Sequence, residues 1–214
     1  MALLSRHVQK PDKDSLLGLQ HRMDYLQEQD VNKSYRILNI GATTLVGASY
    51  QGDMDIMAAA WAGVCDFSKG YAIIDKSHYT RPLIEKSGKF VLCYPSAGIA
   101  AQVMKLGSIS KNDDKDKLDH CGIELIELPG FSMPVVKGCV AYLEYEVIPE
   151  GHNEQEYDMF IGQCKKIVTD TRVYSNNHWH FNEADDSLRT LHYVAGGHFY
   201  TIGHELFLKE YGDD

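Results

Sequence analysis

The 214-residue sequence lacks an excess of positive charge. Its 21 Lys and Arg residues are outnumbered by 30 Asp and Glu residues, which gives a formal net charge of −9. Proteins that bind nucleic acid or anionic membrane surfaces need a basic footprint, because the phosphate groups of those partners must be neutralised. We therefore expect neither nucleic acid nor a membrane as a partner, although the composition still allows a local basic pocket.

The sequence also lacks any apolar run of the length that a membrane-spanning helix needs. Residues 1–6 are not followed by the apolar region of a secretory signal, so we expect a cytoplasmic protein. No CxxC spacing occurs among the five cysteines, which are Cys65, Cys93, Cys121, Cys139 and Cys164. Scattered cysteines of this kind are typical of buried free thiols in a reducing compartment.

Several sequence motifs of enzymes are missing as well. No Gly-x-Gly-x-x-Gly follows a predicted strand, so a nicotinamide cofactor on a Rossmann fold is not indicated. No serine lies in the context of a hydrolase nucleophile. With 44% hydrophobic and 24% charged residues, the composition is that of an ordinary globular protein. The length is sufficient for one sizeable domain.

What the sequence does contain is a series of short strands. Residues 35–49 are rich in β-forming side chains and lead through a turn at 50–53 into a strand with Asp55 and Met57, which predicts a hairpin. Further strands are predicted over residues 70–74, 89–94, 138–148 and 158–168. Few helices and no alternation of strands with helices indicate a closed antiparallel barrel.

Within this pattern the segment of residues 138–148 alternates in polarity, which predicts a half-buried strand with Glu144 and Glu146 facing solvent. A turn is predicted over residues 149–153, and Gly162 predicts a bulge or a close backbone approach. Helices are predicted over residues 81–87 and 96–107. Residues 1–34 predict a polar extension with one helix, preceding a domain over residues 35–214.

The stretch from Asp55 to Thr80 predicts a site for a flat, anionic ligand. The run Ala58-Ala59-Ala60 allows the backbone to approach a flat ligand closely, because there is almost no side chain in between. A predicted strand then delivers residues 76–80 to a turn before the helix over 81–87. Thr80 is a predicted N-cap, and the unpaired amides at that helix start favour an anion, which predicts a phosphate site.

The order of these motifs resembles the flavin reductase-like, FMN-binding split barrels, and is most similar to the flavoredoxin branch. The resemblance covers residues 35–203 and rests on Ala42–Val46, Asp55–Trp61, His78–Thr80, Gly88–Leu92, Ser110–Leu118 and Leu191–Gly203. It implies a mainly β split barrel with a few helices, which forms a homodimer with FMN near the subunit interface. The sequence departs from the family pattern at Asp55, where the family usually has Asn, at Asn112, and at Leu118, which replaces an aromatic residue.

The resemblance implies that FMN carries a hydride or electrons from NAD(P)H to flavin, ferric iron or a protein acceptor. The alternative is a flavoredoxin-like electron carrier without NAD(P)H turnover. No side chain is required as a general acid or base, because the flavin performs the chemistry. The implied cofactor-binding residues are Thr43, Asp55, Met57, Ala58, Ala59, Trp61, Lys76, Ser77, His78, Tyr79, Thr80, Arg81 and Lys111.

In that assignment residues 77–81 and Lys111 contact the phosphate, and Asp55 with residues 57–59 contacts the ring edge. Three alternatives stay open. Trp61 is either a core residue or a ring contact, and residues 110–120 are either a solvated loop or a segment that closes over the cofactor. A histidine metal site is less favoured than surface histidines; its candidate ligands are His178, His180, His192, His198 and His204.

Overall fold

The computed structural model of the protein describes residue 30 and residues 41–208. The predicted helical extension over residues 1–34 therefore falls outside the described residues, apart from Asp30. No helix within the described ranges is long and apolar enough to cross a membrane.

Antiparallel strands form most of the described structure. In chain order they are β1 (Thr44–Tyr50), β2 (Asp53–Ala59), β3 (Ala62–Val64), β4 (Lys69–Ile73), β5 (Lys89–Pro95), β6 (Leu125–Ile126), β7 (Val135–Val136), β8 (Cys139–Ile148), β9 (Met159–Thr169), β10 (Tyr174–Ser175), β11 (His178–Trp179), β12 (Leu191–Ala195) and β13 (His198–Thr201). Seven of them form one sheet in the order β2-β1-β5-β8-β9-β4-β3. The pairs β6–β7, β10–β11 and β12–β13 form separate two-stranded ribbons. The prediction of a mainly β protein is confirmed.

Four short helices occur in the described part of the chain: α1 (Thr80–Ser87), α2 (Ala100–Ser108), α3 (Lys117–His120) and α4 (Gly151–Glu156). Gly88 ends α1 in the left-handed conformation with φ of 65°, as predicted. The predicted turn at residues 149–153 is wrong, because α4 forms there. The Glu154 carboxylate accepts a hydrogen bond from the Glu150 amide at 3.0 Å and so stabilises the start of that helix.

The hairpin of β1 and β2 places β2 at one edge of the sheet. Its two-residue turn, Gln51-Gly52, has positive φ at both positions, 50° and 85°, which matches the twist of antiparallel strands. The register pairs Ala48 with Asp55 and Thr44 with Ala59. The hairpin predicted from the sequence is confirmed, and its second strand becomes one wall of the groove described below.

Strand β8 is buried more deeply than its polarity pattern predicted. It lies between β5 and β9, and both of its faces are covered over Cys139–Tyr142. Glu144 is only 5% exposed, so the prediction that it faces solvent is wrong. Its carboxylate accepts a hydrogen bond from the Ser132 amide at 2.9 Å, because the chain before β7 folds over this face.

The cysteines are free thiols, as predicted. Cys93, Cys121 and Cys139 are buried, Cys164 is half-buried, and Cys65 is exposed. Burial raises the pKa of the Cys139 thiol well above its ordinary value. These buried thiols are packing residues rather than nucleophiles.

Gly162 permits a close approach of β9 to two stacked rings, those of Phe90 and Tyr145, whose centroids lie 5.0 Å apart. A Cβ atom at this glycine would lie 2.7 Å from Phe90 Cε1 and from Tyr145 Cβ. We expect Gly162→Ala to lower the free energy of unfolding by about 1–3 kcal/mol, because the stacked rings cannot yield without strain. Urea denaturation measures the change. The matched control is Gly151→Ala, where a Cβ meets nothing within 4 Å; equal effects of the two substitutions would contradict the close approach.

Candidate functional site

A groove runs between β2 and α2 and consists of two adjoining pockets. The first, which we call the apolar pocket, has a volume of about 190 Å³ and is lined by Thr43, Ala58, Ala59, Ala60, Val103, Met104, Gly107, Tyr193 and Phe199. The alanines form its floor. A Cβ at Gly107 would lie 3.2 Å from Ala58 Cβ, so the glycine allows α2 to pack closely on β2.

The second pocket, which we call the polar pocket, has a volume of about 140 Å³. It is lined by Asp55, Met57, His78, Tyr79, Leu106, Gly107, Ser108, Ile109, Ser110, Lys111 and Lys117. Gly107 lines both pockets, so the two adjoin at this residue. One end of the groove is therefore small and apolar, and the other carries cations and hydroxyl groups.

The β12–β13 ribbon closes the apolar end of the groove. The Tyr193 amide donates to Thr43 Oγ1 at 2.9 Å, and the Thr43 amide donates to the Leu191 carbonyl at 2.7 Å. Tyr193 and Phe199 then pack with ring centroids 5.2 Å apart. Thr43, which the sequence predicted as a site residue, both lines the pocket and holds this ribbon in place.

A buried ion pair lies at the polar end of the groove. Asp55 and Lys117 are each 2% exposed, and Lys117 Nζ lies 3.0 Å from Asp55 Oδ1 and 3.3 Å from Oδ2. Thr80, which is fully buried, donates its hydroxyl to Asp55 Oδ2 at 2.8 Å. The prediction that Thr80 caps α1 is wrong: Tyr79 occupies the N-cap position, and no side chain caps the helix.

Tyr79 lines the polar pocket and lies close to two lysines, Lys111 and Lys115. Its hydroxyl donates to Asp53 Oδ2 at 2.5 Å, and the ammonium groups of Lys111 and Lys115 lie 5.1 and 4.6 Å from its ring centroid. Lys111 Nζ also donates to Asp53 Oδ1 at 2.7 Å and to the Met54 carbonyl at 2.6 Å. Burial alone would raise the pKa of Asp53, but the hydrogen bonds from Lys111 and Tyr79 outweigh it and lower the pKa. The hydrogen bond to Asp53 raises the pKa of Tyr79.

The chain matches the family model described as a flavin reductase like domain over residues 40–197. It belongs to the flavin reductase-like family. The Escherichia coli K12 protein YddH is 34% identical over 179 residues, which cover 81% of this chain and 93% of that protein.

Two solved structures show the same architecture. A domain described as the FMN-binding domain of a flavin reductase-like enzyme from Shewanella baltica OS155 is 42% identical, with a TM-score of 0.77 over 85% of this chain and 96% of its own. The flavoredoxin of Desulfovibrio vulgaris (Miyazaki F) is 22% identical, with a TM-score of 0.66 over 78% of this chain and 90% of its own. The split-barrel fold predicted from the sequence is confirmed.

In this flavin reductase-like chain, the structure brings together only part of the predicted site. Eight of the thirteen predicted residues line the groove: Thr43, Asp55, Met57, Ala58, Ala59, His78, Tyr79 and Lys111. The other five, Trp61, Lys76, Ser77, Thr80 and Arg81, do not line either pocket. The predicted phosphate turn therefore faces the groove with only two of its side chains.

The Arg81 side chain is buried and makes its hydrogen bonds within the protein. Its guanidinium donates to Glu85 Oε1 at 2.8 Å, to the Ile74 carbonyl at 2.9 Å and to the Asp158 carboxylate. A buried guanidinium must have its donors satisfied, and this chain satisfies them within the protein. Arg81 thus ties α1 to the start of β9 and lines neither pocket, while its contact with a phosphate stays a prediction.

Trp61, Lys76 and Ser77 also lie outside both pockets, and their contact with a cofactor stays a prediction. Trp61 is 51% exposed, so it is not a core residue, and it follows the alanine floor without lining the groove. Lys76 donates to the Gln155 carbonyl at 2.7 Å, and Ser77 Oγ donates to Asp75 Oδ1 at 2.6 Å. Both side chains stabilise the surface of the turn.

Most side chains of residues 110–120 are exposed, but the segment is bound to the strand β2 and to the turn before α1. Asn112 Nδ2 donates to the Ser77 carbonyl at 2.8 Å, and Lys111 and Lys117 bind β2 as described above. Within the segment, His120 Nδ1 lies 2.7 Å from Asp114 Oδ2, and this hydrogen bond raises the pKa of His120. The segment borders the polar pocket, and its closure over a cofactor stays a prediction.

Sequence reasoning missed several lining residues, above all Lys117, Met104, Tyr193 and Phe199. Lys117 lies inside the Ser110–Leu118 segment that carried the family resemblance, and Tyr193 and Phe199 lie inside Leu191–Gly203. These two segments were the part of the sequence that could have indicated such residues, but they did not show which of their side chains face the groove.

The histidines do not form a metal centre in the described ranges. No group of three or more His, Cys, Asp or Glu side chains there has the arrangement that holds a metal ion. His178 Nε2 lies 3.8 Å from Glu205 Oε1, and His180 Nε2 lies 2.9 Å from Ser175 Oγ. The first contact lies between β11 and the chain after β13, and the second joins β10 to the residue that follows β11.

Proposed function

We propose that the protein is an FMN-dependent oxidoreductase that binds its flavin in the groove. The observation that carries the proposal is that an alanine-floored apolar pocket adjoins, at Gly107, a pocket lined by Lys111, Lys117 and His78. A flat ring system joined to an anionic tail matches this division. The Shewanella baltica domain, described as FMN-binding, is 42% identical and supports the same conclusion.

The residues of the polar pocket suit a phosphate group. Although the chain carries a net charge of −9, Lys111, Lys115 and Lys117 are concentrated at this end of the groove. Charge-assisted hydrogen bonds from ammonium groups to phosphate oxygens are stronger than neutral ones. Ser108 and Ser110 add hydroxyl groups to the lining.

The residues of the apolar pocket suit the ring. None of the nine lining residues carries a carboxylate, an amine or an imidazole, so the pocket offers shape and exclusion of water rather than acid–base groups. FMN supplies the hydride and electron transfer from NAD(P)H to free flavin, ferric iron or a protein acceptor. The protein's own residues bind the flavin, orient it and shield it from water.

We further propose a homodimer. Trp61, Val64 and Phe67 expose large apolar surfaces, at 51%, 80% and full exposure, next to the edge strand β3. Exposed apolar groups beside a sheet edge are a typical contact surface. Light scattering on the purified protein at micromolar concentration measures the oligomeric state, and a monomer would contradict this part of the proposal.

The purified protein should be yellow and should release FMN on heating. Among residues 41–208 only one compact anion site adjoins the ring pocket, so we expect FMN rather than FAD. Absorption spectroscopy followed by chromatography of the released chromophore measures both points. A colourless protein that binds no added FMN would contradict the proposal, and predominant FAD would contradict the choice of cofactor.

Turnover distinguishes an enzyme from an electron carrier. We expect the holoprotein to oxidise NADH or NADPH continuously when free flavin or ferric iron is supplied as acceptor. Absorbance at the reduced-nicotinamide band measures the rate. Reduction of the bound FMN by dithionite with no nicotinamide oxidation would indicate the flavoredoxin-like alternative.

A further inference from the structure

The ammonium group of Lys117 has more N–H donors than it has acceptors among the described residues. Its ammonium carries three N–H groups and its side chain is 2% exposed. Across residues 41–208, Asp55 is the only hydrogen-bond or ion-pair partner of this ammonium, with oxygens at 3.0 and 3.3 Å. Because Lys117 lines the polar pocket, a ligand in that pocket can accept the remaining N–H groups.

Asp55 is held firmly in its place. It lies on β2 opposite Ala48, and the Thr80 hydroxyl at the start of α1 donates to its Oδ2. Its Oδ1 is fully buried and accepts no well-aligned hydrogen bond from the described residues, although Lys117 Nζ is 3.0 Å away. The ammonium therefore provides most of the compensation for this buried charge.

We infer that Asp55 is an internal counterion that competes with the anionic group of the ligand for Lys117. It is a positioning residue, because it acts on the ligand through the lysine. The inference rests on the proposed function, in which the polar pocket receives the FMN phosphate. In the ligand-free protein Asp55 balances Lys117, so the phosphate gains less from an ammonium that is already paired.

The expected consequence follows from the cost of an unpaired buried charge. Asp55→Asn preserves the shape of the side chain, and its amide oxygen still accepts the Thr80 hydroxyl. Lys117 then lacks a counterion in the ligand-free protein, which destabilises that form. Binding a phosphate removes this deficit, so FMN should bind more tightly while the apoprotein melts at a lower temperature.

The experiment is a double-mutant cycle on the full-length apoprotein, titrated with FMN and with riboflavin by fluorescence, with thermal melts alongside. We expect Asp55→Asn to tighten FMN at least about tenfold and to change riboflavin by less than about twofold. Lys117→Met should weaken FMN at least about tenfold. In the Lys117→Met background, Asp55→Asn should change FMN affinity by less than about twofold, because a buried carboxyl without a counterion takes up a proton.

Asp158→Asn is the matched control, because it removes the same charge from a second ion pair, with Arg81, outside both pockets. We expect it to leave FMN affinity within about twofold. Unchanged or weaker FMN binding by folded Asp55→Asn would overturn the inference. The same tightening in both backgrounds would also overturn it, since Asp55 would then act on the ligand directly.

A second variant keeps the test decisive if Asp55→Asn does not fold. The variant that combines Asp55→Asn with Lys117→Met has neither charge of the buried ion pair, and the replacement of a whole buried ion pair is tolerated. It should bind FMN at least about tenfold more weakly than the wild type and riboflavin equally well; unchanged FMN affinity would overturn the inference. If the wild-type apoprotein binds no flavin, the proposed function fails first, whereas normal FMN binding with an uncoupled cycle refutes the inference alone.

Discussion

Thr80→Asp is expected to lower the free energy of unfolding by about 3–5 kcal/mol at neutral pH. Thr80 is fully buried, and its hydroxyl lies 2.8 Å from Asp55 Oδ2. The substitution replaces a hydrogen-bond donor by a second carboxylate beside Asp55, which is paired with the ammonium of Lys117. Two buried carboxylates in contact cannot both stay charged without a large cost.

Urea denaturation at pH 7 and pH 5 measures this effect. We expect the deficit to shrink at the lower pH, because a proton shared between the two carboxyl groups removes one charge; a group that binds a proton more readily when folded contributes stability as the pH falls. Thr80→Val, which loses only the hydroxyl, is the control and should cost about 1–3 kcal/mol. Wild-type stability of Thr80→Asp would mean that Thr80 does not face Asp55.

Ala60→Phe is expected to weaken binding of both FMN and riboflavin by at least about a hundredfold, which is about 2.7 kcal/mol. Ala60 lines the apolar pocket of about 190 Å³ and is only half-buried, so a benzyl group can occupy the pocket without disturbing the core. A flat ring then has no space there. Weaker binding of both riboflavin and FMN distinguishes this effect from changes at the polar end, because those changes act on the phosphate, which riboflavin lacks.

Fluorescence titration of the apoprotein measures both dissociation constants, and thermal melts test the fold. The control is Ala101→Phe, because Ala101 is exposed on α2 and does not line the groove. We expect it to leave both affinities within about twofold. Normal flavin binding by Ala60→Phe would show that the ring does not occupy the apolar pocket.

The same two positions show how far sequence reasoning extends. From the sequence, Thr80 is a helix cap, so an aspartate there should preserve the fold and repel the phosphate. The structure changes the expectation for the fold. The Thr80 side chain faces Asp55, 25 residues away, so an aspartate at position 80 should destabilise the protein. The alanine run, in contrast, does line a pocket, because small side chains at consecutive positions make a close approach possible wherever the strand lies.

Local features of this protein were determined by its sequence alone. The Gln51-Gly52 turn, the end of α1 at Gly88 and the strand character of residues 44–50 and 53–59 depend on neighbouring residues and on backbone preferences. So does the order of motifs that indicated the flavin reductase-like family. These features involve short sequence separations, over which side-chain type restricts the backbone directly.

The functional groups of the groove were decided by the tertiary structure. Lys117 meets Asp55 across 62 residues, Tyr193 meets Thr43 across 150, and Arg81 meets Asp158 across 77. A charged side chain can be buried only where a partner is brought to it, and the sequence does not state which partner the fold will supply. In the folded protein, Arg81 therefore lies outside the groove and Lys117 lies in it, because each cation lies beside the carboxylate that balances its charge.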